Sequence, residues 1–432
     1  MVRFAFAAAV AAAVASVSTA LPLADTPAAA AGGQLAFSLP SSDSSASSLV
    51  AHLDLADSFA TLKPCQRKKL EQWVAGLPEQ RLVKLGEDEA PIWITEGEKA
   101  LLTMAGRRFV DVTDEDEQLT VAVAESEPFP NKLTYKKADL QPLFDHVSLG
   151  KMRKFLTLFS GFRTRHYRSD TGKQSQHFLL GQIKQIAAKS KNPDQKIKIR
   201  EFKHSWGQNS IIVEIAPKAA SAEATVSDAM FIVSAHQDST NLLPFLAAPG
   251  ADDDGSGSTS LLAAFASLVH SGFVPSARPV TLAWWSAEEG GLLGSKEVAQ
   301  DYAKRGVKIH AMQQIDMSAY VKPGTEEAIG VIEDFVDPEL TQYIKRVVEN
   351  YADIPWVATK CGYACSDHAS FSAIGARSSF TIESTFENSS KDIHSTRDTI
   401  NAEGFSFDHM KEFSKVAIAM AVELGGGENL FA

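Results

Sequence analysis

Met230–Ala235 (MFIVSA) reads as a buried strand that runs straight into His236. Soon after comes Ala248–Ser258 (APGADDDGSGS), three consecutive aspartates framed by Gly250 and Gly255 and followed by a helix-like pattern. A histidine at a strand end and carboxylates in a glycine-framed loop suit the assembly of a metal site. An aspartate triplet by itself reads more readily as a solvated acidic turn. Three further segments tip the balance, because each supplies metal-ligating residue types: Glu288-Glu289, Asp316 and His394.

The flanking patterns place these residues on a fold. Strand-like runs occur at Ile197–Phe202, Ser210–Ile215, Met230–Ala235, Val280–Ser286, Lys308–Ile315 and Ser378–Ile382. Helical patterns fall at Val147–Ser160, Ser175–Ala188, Gly257–Ser271, Gly294–Lys304, Pro338–Tyr351 and Phe405–Leu424. Alternating strands and helices imply an α/β fold with a mostly parallel central sheet sandwiched by helices. Sites in such sheets lie beyond the carboxyl ends of the strands. His236, Glu288-Glu289 and Asp316 all sit at strand C-termini, which surface charge explains poorly.

The candidate ligands are His236, Asp253, Glu289, Asp316 and His394, two imidazoles and three carboxylates. Five such groups crowd one ion. Two zinc ions sharing a bridging carboxylate each receive a histidine, a terminal carboxylate and the bridge, with a coordination position left open. Two ions about 4 Å apart polarise a carbonyl and stabilise the charge that develops on it. Adjacent residues cannot point the same way, so Glu289 suits the metal and Glu288 the role of general base. Asp238 is placed to accept the second ring N–H of His236 and fix its tautomer. As isolated signals, His-x-Asp and Glu-Glu are weak; the ordered set is specific.

The ends of the chain bear on where it works. The chain has 432 residues, 44% of them apolar, enough for two or three domains. Its net charge of −11 argues against nucleic-acid and anionic-membrane partners. Met1–Ala20 carries one basic residue, Arg3, then a short apolar run ending Ser18-Thr19-Ala20, the pattern of a secretory signal peptide; a membrane anchor is the alternative. Leu21–Ser48 is Ala-, Ser-, Gly- and Pro-rich and is expected to be disordered. Leu49–Leu85 is weakly helical in pattern, and strand-like pieces follow around Ile92–Ile94 and Arg108–Val112. Residues 21–130 therefore read as a small α+β module, closed by Pro128-Phe129-Pro130, either a removable propeptide or an accessory domain. The maturation point is expected between Val123 and Lys132. Cys361 and Cys365 form a close pair that reads as a small-loop disulfide in a secreted protein, with zinc binding as the weaker option; Cys65 is left over. Asn388-Ser389-Ser390 is a glycosylation sequon near the site.

The segments His236–Ser239, Pro249–Gly257, Ala287–Gly290, Ile315–Met317, Cys361–His368 and Ile393–Thr399 resemble, in content and order, those of the secreted dizinc leucyl aminopeptidases of metallopeptidase family twenty-eight. The resemblance runs from about Leu133 to Leu424. It implies a zinc exopeptidase fold over residues 131–432 and two zinc ions bridged by Asp253. One ion is held by His236 and Asp316, the other by Glu289 and His394, with Glu288 as base. It also implies a cis peptide between Asp253 and Asp254 and a Cys361–Cys365 disulfide that presents Tyr363. Met317, Ile332, Tyr363, Ile382, Phe386 and Ile393 become the wall of an apolar pocket for Leu, Met or Phe at a free substrate N-terminus. A monomer that acts on peptides and is made with its own propeptide is the further expectation. Related dizinc carboxypeptidases or deacylases, a one-zinc glutaminyl-cyclase-like enzyme and a non-catalytic domain are the alternatives. The short span from Asp316 to His394 argues against the first, the aspartate triplet against the second, and the complete ligand set against the third.

Overall fold

The computed structural model describes residues 60–115, 127–218, 226–427 and 430. The expected signal peptide, the low-complexity lead and part of the maturation region lie outside the described residues.

The N-terminal module is built from α1 (Pro64–Gly76), β1 (Gln80–Lys84), β2 (Ile92–Thr95), α2 (Lys99–Met104) and β3 (Val110–Asp111). Its sheet has the order β2-β1-β3, antiparallel throughout. The helical pattern expected through Leu85 ends sooner, and Gln80–Lys84 is a strand. Pro78 cannot continue a helix, and Arg81 and Val83 alternate inward between two partner strands. Leu70, Val74, Val83, Ile94, Leu101 and Leu102 form a small core that also takes in Leu243 from far along the chain.

The rest of the described chain opens with α3 (Lys137–Phe144), α4 (Leu149–Phe159) and α5 (Asp170–Ala187), then β4 (Lys196–Phe202), β5 (Ser210–Ala216) and β6 (Met230–His236). It continues through α6 (Gly255–His270), β7 (Val280–Trp285), α7 (Leu293–Lys304), β8 (Ile309–Ile315) and β9 (Ile329–Ile332). It ends with α8 (Pro338–Tyr351), β10 (Trp356–Thr359), α9 (His368–Ala373), β11 (Ser378–Ile382) and α10 (Phe407–Gly425). The eight strands are ordered β10-β9-β11-β8-β6-β7-β5-β4. The centre, β11-β8-β6-β7, is parallel; β5 and β4 on one side and β9 on the other join antiparallel.

Both faces of the sheet are covered, as the side-chain alternation of the strands requires. Phe231, Val233, Leu282 and Trp284 point into the main core with α6 and α10. Their neighbours Ile232, Ala283 and Trp285 point the other way, against Val298 and Tyr302 of α7 and Phe371 of α9. Helix α6 is buried almost all round, so the loop before it is locked to the sheet centre. Among the described residues no helix is long and apolar enough to cross a membrane.

Candidate metal centre

Strands β7, β6 and β8 are adjacent and parallel, so their carboxyl ends open on one edge of the sheet. His236 is the last residue of β6, in register with Trp285 at the end of β7. Ala287, Met317 and His394 all adopt left-handed backbone, with φ of 58°, 57° and 53°. Non-glycine residues rarely do so, and here they mark the abrupt turns beside Glu288, Asp316 and the imidazole itself.

Five side chains converge over this edge. His236 Nε2 lies 3.1 Å from Asp253 Oδ1 and 3.4 Å from Asp316 Oδ1. His394 Nε2 lies 3.1 Å from Asp253 Oδ2 and 3.0 Å from Glu289 Oε2. These are two triads with Asp253 common to both, and within each the ligand atoms lie within 4.8 Å of one another.

The aspartate triplet divides its work. The Asp253–Asp254 peptide is cis. Asp254 caps α6 through Gly257 N (3.0 Å) and accepts the backbone N–H groups of His236 and Met317, each at 3.0 Å, which ties the ends of β6 and β8 to the helix. Asp252 accepts from Ser256 Oγ and Ala319 N, both at 3.1 Å. Only the middle carboxylate faces both imidazoles. Beneath the loop, the fully buried Arg165 donates to the carbonyl oxygens of Gln237 (2.9 Å) and Gly250 (2.8 Å).

Asp238 is completely buried. One of its oxygens stands 3.5 Å from His236 Nδ1, and that nitrogen has no hydrogen-bond partner. The carboxylate instead accepts the backbone N–H of Glu288 (3.1 Å) and of Glu289 (3.2 Å), so it holds the glutamate pair at least as directly as the histidine.

The protein's own charges leave the cluster unbalanced. Burial pushes the Glu288 carboxyl well up, reinforced by Asp367, Asp316 and Glu289. Burial opposes charge on His236 and His394, yet the surrounding carboxylates raise both well above the ordinary imidazole value. Burial likewise disfavours the Asp253 anion, but the two imidazoles outweigh it and hold this carboxyl far down. Asp316 Oδ1 is buried without a hydrogen-bond partner. A buried unpaired carboxylate oxygen is costly unless a cation answers it, and mixed imidazole and carboxylate donors are a zinc-type set.

A cavity of about 390 Å³ opens over these residues, with Asp253, Glu288, Glu289, Asp316 and His394 in its floor. Met317, Tyr363, Ile382, Phe386 and Ile393 line it, as does Phe380. Ile332 is fully buried behind this wall in the same apolar cluster and does not line the cavity. Cys361 and Cys365 are joined in a disulfide that carries Tyr363 in its loop, and Cys65 is free and exposed.

Residues 210–421 match the model of peptidase family M28. Leucine aminopeptidase 1 of Coccidioides posadasii is 43% identical over 367 residues, 82% of this chain and 92% of that protein. The chain belongs to peptidase family M28. Leucine aminopeptidase 1 of Neurospora crassa, also similar, is 42% identical and aligns over 87% of this chain and 95% of its own length. The M28 fold is also that of the LapA aminopeptidase of Legionella pneumophila, with a TM-score of 0.68 at 23% identity over 81% of this chain and 99% of that one.

Within this M28 chain, three contributors to the site lay beyond sequence reasoning. Asp398 accepts the backbone N–H groups of Asp252 (2.8 Å) and Asp253 (3.1 Å). Ser366 Oγ donates to Asp316 Oδ2 at 2.6 Å. Both residues fall inside segments that carried the resemblance, but their partners are distant in sequence. The third is the N-terminal module, whose residues Thr103, Gly106, Arg107, Arg108 and Phe109 line the same cavity. Asn388 lies in a short 3-10 turn, its side-chain oxygen accepting from Lys322 Nζ at 2.8 Å.

Proposed function

We propose that this M28 peptidase is an extracellular aminopeptidase that removes Leu and other large apolar residues from peptide N-termini with two zinc ions. The observation that supports it most is the pair of triads sharing Asp253 on the floor of a cavity with an apolar wall. His236 and Asp316 would hold one ion, Glu289 and His394 the other, with Asp253 between them. When bound, the ions supply Lewis acidity that polarises the scissile carbonyl and lowers the pKa of water.

The chain's own groups do the rest. Glu288 lines the cavity beside the triads and is the one carboxylate there that neither triad uses. Its place beside the triads suits a general base that takes a proton from the attacking water and passes it to the departing amine. Asp238 grips the backbone N–H groups of both glutamates and stands 3.5 Å from His236 Nδ1, so it positions the pair and the imidazole together. Met317, Phe380, Ile382, Phe386 and Ile393 exclude water from the first side chain. The carboxylate-rich floor favours a free, protonated α-amine over a blocked one.

The N-terminal apolar run and the Cys361–Cys365 disulfide support export, and residues 21–130 would be the segment removed on maturation. A leucyl anilide and its N-acetylated counterpart, assayed with and without chelator, test the activity. Cleavage of the free-amine substrate alone, lost with chelator and restored by zinc, is expected. Cleavage of the acetylated form would make the enzyme a deacylase or endopeptidase instead.

A further inference from the structure

The module does not touch the cavity by chance of packing. Asp111 N donates to Gly291 O at 3.2 Å, and Lys99 Nζ donates to Gly290 O at 3.0 Å. Both acceptors directly follow the Glu288-Glu289 pair. Gly291 has φ of +96°, and a Cβ there would meet Asp111 N at 2.7 Å, so the close approach depends on glycine. Lys296 Nζ donates to Asp111 O, and Arg168 pairs with Glu96 at 3.0 Å and Glu79 at 2.9 Å. These contacts pin the turn between α2 and β3 across the mouth of the cleft.

Arg108 is the tip of that turn. Its guanidinium carbon stands 4.2 Å from the centre of the Tyr363 ring and 5.3 Å from that of Phe386. Its Nη1 donates to the carbonyl oxygen of Cys361 at 3.2 Å. The two rings meet edge to face, with centroids 6.5 Å apart at 74°. Two aromatic rings and a carbonyl dipole form a notch that favours a planar cation. Arg108 as a whole is exposed, so burial does not account for its position.

We propose that Tyr363, Phe386 and the Cys361 carbonyl form a guanidinium-binding subsite at the mouth of the cleft, and that the N-terminal module fills it in cis with Arg108. The full chain thereby holds its own basic ligand across the substrate's way in. Tethering raises the local concentration of that ligand to the millimolar range, so a site weak for free ligands is still filled. Once Arg108 is withdrawn, the same notch accepts a basic side chain of a bound peptide beyond its first residue. The blocking half of the proposal rests on reading the cleft as the aminopeptidase site; the subsite itself does not.

The test uses the full chain and its Arg108→Ala and Arg108→Lys variants. The probe is N-acetylarginine amide, which has no free amine to be cleaved, with N-acetylcitrulline amide as its uncharged counterpart. In calorimetric or NMR titrations, Arg108→Ala is expected to bind the arginine probe at least about 10-fold tighter than wild type, whose notch is filled. The citrulline probe should bind Arg108→Ala far more weakly, and adding Phe386→Ala should remove the arginine binding. Equal binding to wild type and Arg108→Ala, or no discrimination between the two probes, overturns the subsite. On a leucyl anilide, Arg108→Ala should turn over several-fold faster than wild type, Arg108→Lys should fall between them, and the arginine probe should reverse the gain. An active chain in which Arg108→Ala brings no gain overturns the blocking role. Specific arginine binding in a chain that cleaves no leucyl anilide even after residues 21–130 are removed supports the subsite and removes the aminopeptidase reading.

Discussion

Asp398 Oδ2 lies 3.1 Å from the backbone nitrogen of Asp253, while its other oxygen takes the N–H of Asp252 at 2.8 Å. One buried carboxylate, far along the chain, thus holds the loop that presents the shared carboxylate of both triads. Asp398→Ala leaves two buried N–H groups without acceptors, at a cost of about 1–3 kcal/mol each before relaxation. Zinc affinity should fall roughly 10–100-fold, as for other residues that orient ligands. Competition with a chromogenic chelator measures the affinity and denaturant unfolding the stability. Unchanged affinity in a destabilised variant would confine Asp398 to the fold.

Glu288 and Glu289 are neighbours with different environments, and substitutions should separate them. Glu289 faces His394 at 3.0 Å, whereas Glu288 belongs to neither triad. Glu288→Gln is expected to keep its metal and lose roughly 10²–10⁴-fold in kcat. Glu289→Ala should lose metal along with activity. Metal content by mass spectrometry beside kcat distinguishes them, and metal loss in Glu288→Gln would reverse the assigned roles.

Acid should loosen the N-terminal module at a definite point. Asp111 accepts Arg81 Nε at 2.7 Å and Lys99 Nζ at 2.6 Å. Burial works against its charge, but Lys99 and Arg81 bring its pKa down from the ordinary 3.8 to about 2. A depressed carboxylate stabilises the fold fully above its unfolded value, and that contribution fades as pH falls through the folded one. The shift corresponds to roughly 2 kcal/mol, present above about pH 4 and lost toward pH 2. Hydrogen exchange of the β1 and β3 amides across this range should show the loss, and Asp111→Asn should lessen the pH dependence, leaving the part carried by Glu96, which, despite burial, Lys99 and Arg168 also hold below its ordinary value.

The parallel core of the sheet was legible because its strands are apolar runs bounded by turn residues, and Pro338–Tyr351 and Ser378–Ile382 match their expected spans. The triads were legible for a related reason. Strand ends in a parallel sheet share an edge, so ligand types at successive ends must meet there. What escaped depends on contacts that sequence spacing does not encode. Gln80–Lys84 is a strand only because two partners flank it. Short elements such as Ile329–Ile332 and Trp356–Thr359 carry too few residues for a periodic signal. Asp238 stands beside His236 Nδ1 at 3.5 Å, where it was expected, but spacing did not show that its carboxylate also accepts from Glu288 and Glu289 on the next strand's loop. The place of Arg108 against Tyr363 required the module's docking to be seen.

If Asp253 serves two metal ions, as proposed, zinc stoichiometry reports it. Purified chain, stripped with chelator and titrated with zinc in a calorimeter, should take up two equivalents. Asp253→Ala should take up none tightly, because each triad loses a member. Uptake of a single equivalent by the wild type, or of one tight equivalent by Asp253→Ala, would contradict the shared-carboxylate centre.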